Sequence, residues 1–165
     1  MVIRQKPEPL VYERTLGMSV MEGKGFYYPN DAAVSSDGKI YVLNRSLEAR
    51  GSGRGMRVTI CDSSDAFHGD FGEFGNKPGQ FMWPSAITQG PDQNIYITDE
   101  HLHKIMKFTA AGLFLKEWGQ FGSEPGNLDA PSGIAFNSTG ELFVSDTYNN
   151  RIQVFTSSGE YIRCL

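Results

Sequence analysis

Two histidines separated by one leucine stand beside two acidic residues, and this grouping could bind a metal ion. The segment reads Asp99-Glu100-His101-Leu102-His103. Imidazole nitrogens and carboxylate oxygens are common zinc ligands, and a bound zinc ion could activate water for hydrolysis. The simpler interpretation is a loop in which these side chains form hydrogen bonds and hold a turn. We favour the loop, and we predict no metal site or other cofactor from this segment alone.

A glycine-rich segment with several arginines is the candidate for anion contact. It covers residues 45–56 and reads RSLEARGSGRGM. Arginines on a flexible backbone can contact phosphate groups, as they do in proteins that bind RNA. The segment contains a single acid and no aromatic side chain on which a base could stack. A solvated, mobile loop is the alternative. The anion candidates are Arg45, Arg50, Arg54 and the adjacent Arg57.

Motifs of other chemistries are missing from the sequence. Serine, histidine and aspartate occur, but the nucleophile elbow of serine hydrolases does not. The glycines follow turn spacing and form no phosphate-binding loop. Cys61 and Cys164 lack the paired spacing of a metal site, and we expect both to be free thiols in different structural units. The sequence therefore favours a non-catalytic role.

A repeat of 47 residues predicts the elements that would position these side chains. Asn94–Phe108 reads NIYITDEHLHKIMKF, and Glu141–Phe155 reads ELFVSDTYNNRIQVF. A third copy begins at Lys39 with KIYVLN and, after an insertion of eight residues, resumes with MRVTIC. Short β-type runs with a period of about 40–50 residues are typical of the four-stranded blades of a β-propeller. Each copy is preceded by a proline: Pro29, Pro84 and Pro131.

Polar residues at the end of the second strand should hold the next turn in each copy. Asp99 and Asp146 can bond backbone amides there, and Lys104 and Arg151 can pair with them. Asn44 is the equivalent in the first copy, which keeps a hydrogen bond and loses the ion pair. We also interpret Trp83 and Trp118 as packing residues between blades.

The third copy resembles the NHL-repeat family. Ser145–Phe155 reads SDTYNNRIQVF, which is similar to the family's signature, and the linkers with Pro-Gly before Phe81 and Leu128 are similar too. The resemblance extends over residues 10–165 and implies a six-bladed β-propeller. Members of this family include propellers that bind proteins, propellers that bind RNA, and lyases that cleave peptidyl-hydroxyglycine.

The lyase branch is implied by a shorter stretch, Tyr96–Ile105, which is similar to a segment of those enzymes. The resemblance would place their zinc histidines directly after the blade proline. This chain has Asn30, Ser85 and Ser132 at those positions. A metal ion would therefore need ligands from further blades.

We predict one all-β domain over residues 1–165: three four-stranded antiparallel blades at about 29–71, 84–118 and 131–165, forming an open arc. Residues 10–16 should add an outer strand of a preceding or closing blade, at Val11–Leu16. Four outer strands against three inner sets do not close a ring. We expect either a longer chain with about three further units or a half-propeller that dimerises.

Composition limits the partners. The net charge is −4, which disfavours general affinity for nucleic acid, and the chain shows no signal peptide and no apolar run long enough to span a membrane. We therefore expect a cytoplasmic scaffold that binds a protein or peptide, with an RNA-binding propeller and a metal-dependent lyase as alternatives. The expected ligand contacts open the innermost strands and should face the central channel: Asn30, Asp31, Ser85 and Ser132.

Replacing Arg45, Arg50 and Arg54 with alanine tests the RNA alternative. We expect folding to be nearly unchanged and any salt-sensitive RNA binding to be abolished, because such binding depends on phosphate contacts. The measurement is fluorescence anisotropy with labelled single-stranded RNA at low and high salt. RNA binding that survives the triple substitution would rule out this role for the segment.

Overall fold

The computed structural model describes residues 11–20, 23–45 and 55–165, and they form three antiparallel sheets of four strands. In each sheet the strands lie side by side in chain order. Blade 1 contains β1 (Pro29–Val34), β2 (Lys39–Asn44), β3 (Arg57–Asp62) and β4 (Phe67–Phe71). Blade 2 contains β5 (Pro84–Gln89), β6 (Ile95–Asp99), β7 (Lys104–Phe108) and β8 (Phe114–Trp118). Blade 3 contains β9 (Pro131–Phe136), β10 (Leu142–Asp146), β11 (Arg151–Phe155) and β12 (Tyr161–Cys164).

Each blade proline begins an innermost strand, where the missing amide hydrogen removes no ladder hydrogen bond. The only helical element among the described residues is a short 3-10 turn, Thr147–Asn149. The predicted fold class and the three blades are therefore confirmed. No helix in the described part of the chain is long and apolar enough to cross a membrane.

Apolar side chains between neighbouring blades form the core. Tyr41, Leu43 and Phe71 of blade 1 pack with Ile97 and Phe108 of blade 2 in one cluster. A second cluster joins blade 2 to blade 3 and includes Tyr96, Ile105, Leu142, Val144 and Phe155. Blade 2 therefore buries its two faces against different neighbours, as stacked repeats do.

The same contacts recur between successive blades. The Tyr41 hydroxyl donates to the Ala110 carbonyl of blade 2 at 3.0 Å, and the equivalent Tyr96 hydroxyl donates to Ser157 of blade 3 at 3.1 Å. Both acceptors lie in the turn between the third and fourth strands.

A glycine in that same turn lets an aromatic ring of the preceding blade approach closely. A Cβ at Gly112 would lie within 2.6 Å of Phe71 atoms, and one at Gly159 would lie 2.7 Å from Trp118. Both glycines have positive φ, of 84° and 87°. The predicted packing role of Trp118 is thereby confirmed.

The strand register places the linkers and the loops that follow the second strands at the same edge of the sheets. Antiparallel pairing sets Pro29 opposite Asn44, Pro84 opposite Asp99 and Pro131 opposite Asp146. The linkers that enter the blades and the loops that follow the second strands therefore emerge at the same edge. We call this edge the linker face.

Residues 11–18 form no strand, so the N-terminal outer strand expected at Val11–Leu16 is not seen as a strand. Its inner strands do not exist among the described residues, so it has no ladder partner. The segment nevertheless lies where that strand was expected. Arg14 donates to the Ser63 carbonyl at 2.9 Å, much as Lys116, its equivalent in blade 2, donates to Ser158 at 2.6 Å.

A third copy of the linker precedes blade 1, although the sequence analysis identified two. Isolated parallel bridges join Ser19 to Phe26, Phe74 to Phe81, and Phe121 to Leu128 at equivalent positions. The first copy has the same length, but its sequence lacks the Pro-Gly pair and the phenylalanine of the other two, because Ser19 stands where the second linker has Phe74 and Gly23 stands where it has Pro78.

One of the two predicted ion pairs is present in the structure. Arg151 Nε contacts Asp146 Oδ2 at 2.7 Å, as expected. Lys104 instead pairs with Glu117 at 2.6 Å, across the neighbouring strand. The pairing of Lys104 with Asp99 was therefore wrong. Asn44 keeps its hydrogen bonds, and Cys61 and Cys164 are free thiols.

Asp92 holds two side chains of blade 2, Tyr96 and Lys107, that reach the Ser157 carbonyl of blade 3. It pairs with Lys107 at 2.7 Å and accepts a hydrogen bond from Tyr96 at 2.8 Å. Burial works against the charged carboxylate, but the hydrogen bonds from Lys107, Asn94 and Tyr96 outweigh it and lower the pKa of Asp92 to about 2.

The ionised carboxylate therefore stabilises the fold at neutral pH, and this contribution is lost as the pH falls from about 4 through about 2. We expect Asp92→Asn to lower the free energy of unfolding by about 1 kcal/mol, allowing for partial exposure to solvent. It should also flatten the acid limb of stability measured by urea denaturation. Glu160→Gln, at an exposed turn, is the control, and identical pH profiles for Asp92→Asn and the unmodified chain would contradict the assignment.

Candidate binding site on the linker face

A buried acceptor at the end of each second strand fixes the linker that enters the blade. Asn44 Oδ1 accepts the Tyr27 amide at 2.8 Å, and Asp146 Oδ1 accepts the Asp129 amide at 2.6 Å. The three acceptors Asn44, Asp99 and Asp146 are fully buried. The residue two positions before each blade proline, Tyr27, Met82 or Asp129, is therefore held in place at the linker face.

Asp99 makes the most extensive set of these contacts. Its carboxylate accepts the amides of Met82 and Trp83 at 2.8 and 3.0 Å. On the other side it accepts the amides of His101 and Leu102 at 3.0 and 2.9 Å. One carboxylate thus anchors both the incoming linker and the loop that carries Glu100 and His101.

Trp83, Arg45 and Glu100 form a cluster that joins blades 1 and 2. The Arg45 guanidinium carbon lies 5.3 Å from the centre of the Trp83 ring. Its Nη2 lies 3.1 Å from Glu100 Oε2, and about a quarter of each charged side chain is exposed. Trp83 itself is 44% exposed. Trp83 therefore packs between the blades only in part, and the exposed part of its ring is available to a ligand.

A cleft of about 270 Å³ lies beside this cluster. Tyr28, Pro29, Asn30 and Arg45 line it. Tyr28 is half exposed and meets Tyr27 edge-on, with 4.9 Å between ring centres. The cleft and the cluster share Arg45, so they form one continuous surface of aromatic, amide and charged groups.

The residues that open the innermost strands link one blade to the next. Asn30 Nδ2 donates to the Ser85 carbonyl, and Ser85 Oγ donates to the Pro131 carbonyl at 2.6 Å. Asp31 Oδ2 accepts the Ile87 amide at 2.9 Å, and Ser132 bonds Thr147 at 2.6 Å. Ser85 is buried, whereas Asn30 is exposed and lines the cleft. Contact of these residues with a ligand stays a prediction.

The four arginines predicted for anion contact have separate positions. Arg45 belongs to the cluster above, and Arg50 and Arg54 lie outside the described residues. The Arg57 side chain is 7% exposed, and its guanidinium donates to the carbonyls of Val20, Gly23 and Gly25 at 3.3 Å. Arg57 therefore ties the first linker to blade 1 and is not presented at the surface.

The two histidines contact different neighbours. The His101 ring lies 5.6 Å from Trp83, whereas His103 Nδ1 accepts the Ala130 amide at 3.2 Å. Asp129 is 3.4 Å from the same nitrogen. Within residues 11–20, 23–45 and 55–165, no group of three histidine, cysteine or acidic side chains could hold a metal ion.

Further exposed aromatic side chains on the linker face escaped the sequence analysis. Phe121 lies in the linker between blades 2 and 3 and is 68% exposed, and Tyr148 follows β10 and is 72% exposed. The available signal was positional, because Tyr28 and Trp83 both directly precede a blade proline. Both residues lie in the linkers, outside the strands that define the repeat.

Comparison with known proteins agrees with this architecture. Residues 128–155 match the sequence model of the NHL repeat. The third blade is an NHL repeat, and the chain folds as part of a β-propeller. No curated protein matches the sequence significantly.

Solved propeller structures are similar in fold at low sequence identity. Catalytically inactive virginiamycin B lyase from Staphylococcus aureus with quinupristin is 19% identical, with a TM-score of 0.61 over 90% of this chain and 43% of its own. Hydrazine synthase from Kuenenia stuttgartiensis is 17% identical, with a TM-score of 0.62 over 94% and 39%. An exported protein from Bacteroides fragilis is 15% identical, with a TM-score of 0.64 over 90% and 40%. The chain thus spans about two fifths of these propellers.

Asp99→Ala tests whether the buried carboxylate positions the site. Its removal leaves the backbone amides that donate to it without an acceptor. We therefore expect the free energy of unfolding to fall by about 3 kcal/mol. Asp99→Asn retains one acceptor oxygen and should cost less. Urea denaturation measures both. The fluorescence emission of Trp83 should also change in the Asp99→Ala variant. Because Trp118 contributes to the same emission, a Trp83→Phe variant serves as the reference that shows the Trp118 signal alone.

Proposed function

We propose that this chain is a non-catalytic binding scaffold whose linker face takes a protein or peptide ligand. The observation that carries the proposal is the cluster of Trp83, Arg45 and Glu100 beside an open cleft that Arg45 and Tyr28 line. Tryptophan, tyrosine and arginine are the residue types that contribute most to binding energy in protein interfaces. Here they lie directly beside strand ends, in linkers and a loop that buried hydrogen bonds hold, which keeps the ordering cost of binding low.

Charge at this site supports a peptide over RNA. Glu100 pairs with Arg45, so this part of the face offers phosphate groups little excess positive charge. The net charge of −4 acts in the same direction. An RNA-binding role would have to rest on the other arginines of residues 45–57.

The lyase alternative has less support. One similar structure is a lyase, but an identity of 19% supports a shared fold alone. His101 and His103 contact different parts of the chain, and the positions after the blade prolines hold an amide and two hydroxyls. A metal-dependent reaction would need ligands beyond these.

Selection from a phage-displayed random peptide library tests the proposal. Peptides enriched on the unmodified chain are synthesised, and their affinities are measured by isothermal titration calorimetry. We expect Trp83→Ala to weaken binding by about thirtyfold and Tyr28→Ala by about tenfold, as for central interface residues. Leu113→Ser, on an exposed turn at the opposite edge, should leave affinity unchanged.

Two results would overturn the proposal. One is a library from which the folded chain enriches no peptide. The other is a set of enriched peptides that bind Trp83→Ala and Tyr28→Ala as tightly as they bind the unmodified chain. Circular dichroism establishes that each variant is folded before the comparison is made.

A further inference from the structure

A basic side chain crosses two of the boundaries between successive units of this chain. Lys116 on β8 donates from Nζ to the Ser158 carbonyl of blade 3 at 2.6 Å. Arg14 has the equivalent position in the N-terminal segment and donates to the Ser63 carbonyl of blade 1 at 2.9 Å. Both carbonyls lie in the turn between the third and fourth strands of the unit that follows. The boundary between blades 1 and 2 lies between these two.

At the boundary between blades 1 and 2 the basic side chain is missing. Gly69 on β4 stands where blade 2 has Lys116. Its neighbour across the strand pair is Ile60, at the position of Lys107. In blade 2 both lysines donate to carbonyls of the next blade. Glycine and isoleucine carry no side-chain donor, so blade 1 makes neither contact.

An open cleft of about 230 Å³ lies at this place. Ile60 and Gly69 line it from blade 1, and Ala110 and Ala111 line it from blade 2. A Cβ on Gly69 would meet no atom of the described residues within 4 Å, apart from its chain neighbours. Ile60 and the two alanines offer apolar surface along which an alkyl chain can lie. The volume is below the roughly 300 Å³ at which small-molecule sites begin, so the cleft suits a single side chain.

Backbone carbonyls supply the hydrogen-bond acceptors of the cleft. Ala111 has the position of Ser158, whose carbonyl accepts the Lys116 ammonium group in the next blade. The Ala110 carbonyl accepts the Tyr41 hydroxyl at 3.0 Å and has a second lone pair. A donor that enters the cleft beside Gly69 can therefore reach the same kind of acceptor that Lys116 reaches.

Charge at the cleft favours a cation over an anion. Lys39 lines the cleft and pairs with Asp37 at 3.0 Å. His68 lines it as well, and its Nε2 lies 2.8 Å from Asp62 Oδ2. Each of these two basic groups is matched by an acid of its own blade. They therefore offer no excess positive charge to an anion, whereas the carbonyl oxygens carry partial negative charge.

We propose that this cleft binds a lysine or arginine side chain of a partner polypeptide. The alkyl part of that side chain lies along Ile60 and Ala110, and its cationic group donates to the Ala111 carbonyl. The chain's own basic side chains at the neighbouring boundaries are the precedent for this chemistry. The cleft lies at the edge opposite the linker face, because β7 runs from Lys104 at that face to Phe108. This inference does not depend on the proposed function.

Titration of the isotopically labelled chain with Nα-acetyl-lysine methylamide and Nα-acetyl-arginine methylamide, followed by heteronuclear NMR, tests the site. We expect saturable shifts of the Gly69, Ala111 and Gly112 amides. The dissociation constant should be on the order of millimolar, because only one side chain is bound. Uncharged Nα-acetyl-norleucine methylamide, at matched ionic strength, should cause no such shifts. The Trp83 indole resonance should stay unchanged, which separates this site from the linker face.

Filling the cleft from within provides the matched variants. Gly69→Lys supplies the missing base and should abolish the shifts, because its ammonium group competes for the same carbonyls. Gly69→Ala introduces the same backbone strain at a φ of 125° but only a methyl group, and it should bind as the unmodified chain does. Should Gly69→Lys fail to fold by circular dichroism, Ile60→Lys replaces it, with Ile60→Leu as its control.

Four results would overturn the proposal. The first is the absence of saturable shifts with both basic derivatives. The second is equal binding of the norleucine derivative, which would indicate an apolar groove without preference for a cation. The third is undiminished binding to a folded lysine variant. The fourth is a set of shifts confined to Trp83 and its neighbours, which would place the cation at the linker face.

Discussion

A buried hydrogen-bond acceptor at the end of the second strand is the contact on which each blade depends. In blade 2 it is a carboxylate that receives four backbone amides from two loops, without the lysine predicted to neutralise it. A charge removed from water at 0% exposure is tolerated because those amides replace its hydration. In blade 3 the equivalent Asp146 adds Arg151 and Gln153, and in blade 1 a neutral Asn44 suffices. The position, and not one residue type, is what the repeat preserves.

Contacts between blades use a second recurring arrangement, in which the ring or hydroxyl of one sheet meets a glycine turn of the next. This explains why apolar burial and hydrogen bonding coincide at the same boundary, since Tyr41 and Tyr96 contribute to both. Trp83 and Tyr28 can remain half exposed because the backbone beneath them is already anchored.

Repetition explains how much the sequence could predict. The three blades follow from short apolar runs at a fixed period, because register and turn chemistry repeat with them. The site was harder. Arg57 directly follows the basic segment in sequence, but it is the first residue of β3, where its side chain is buried against the first linker. Lys104 had two acids within reach, and only the folded sheet shows that Glu117 on the adjacent strand is the partner. Such choices depend on cross-strand neighbours that linear spacing does not encode.

Gly112 and Gly159, which contact Phe71 and Trp118, also influence the angle between successive sheets. They lie at the periphery, where a thicker contact would wedge successive sheets apart while their innermost strands stayed together. A wider wedge means a larger rotation from blade to blade, and fewer blades in a full circle. A methyl group at Gly112 or Gly159 would therefore alter the angular step of the array as well as its stability. The side chain at this one position helps determine what size of ring the repeat can build.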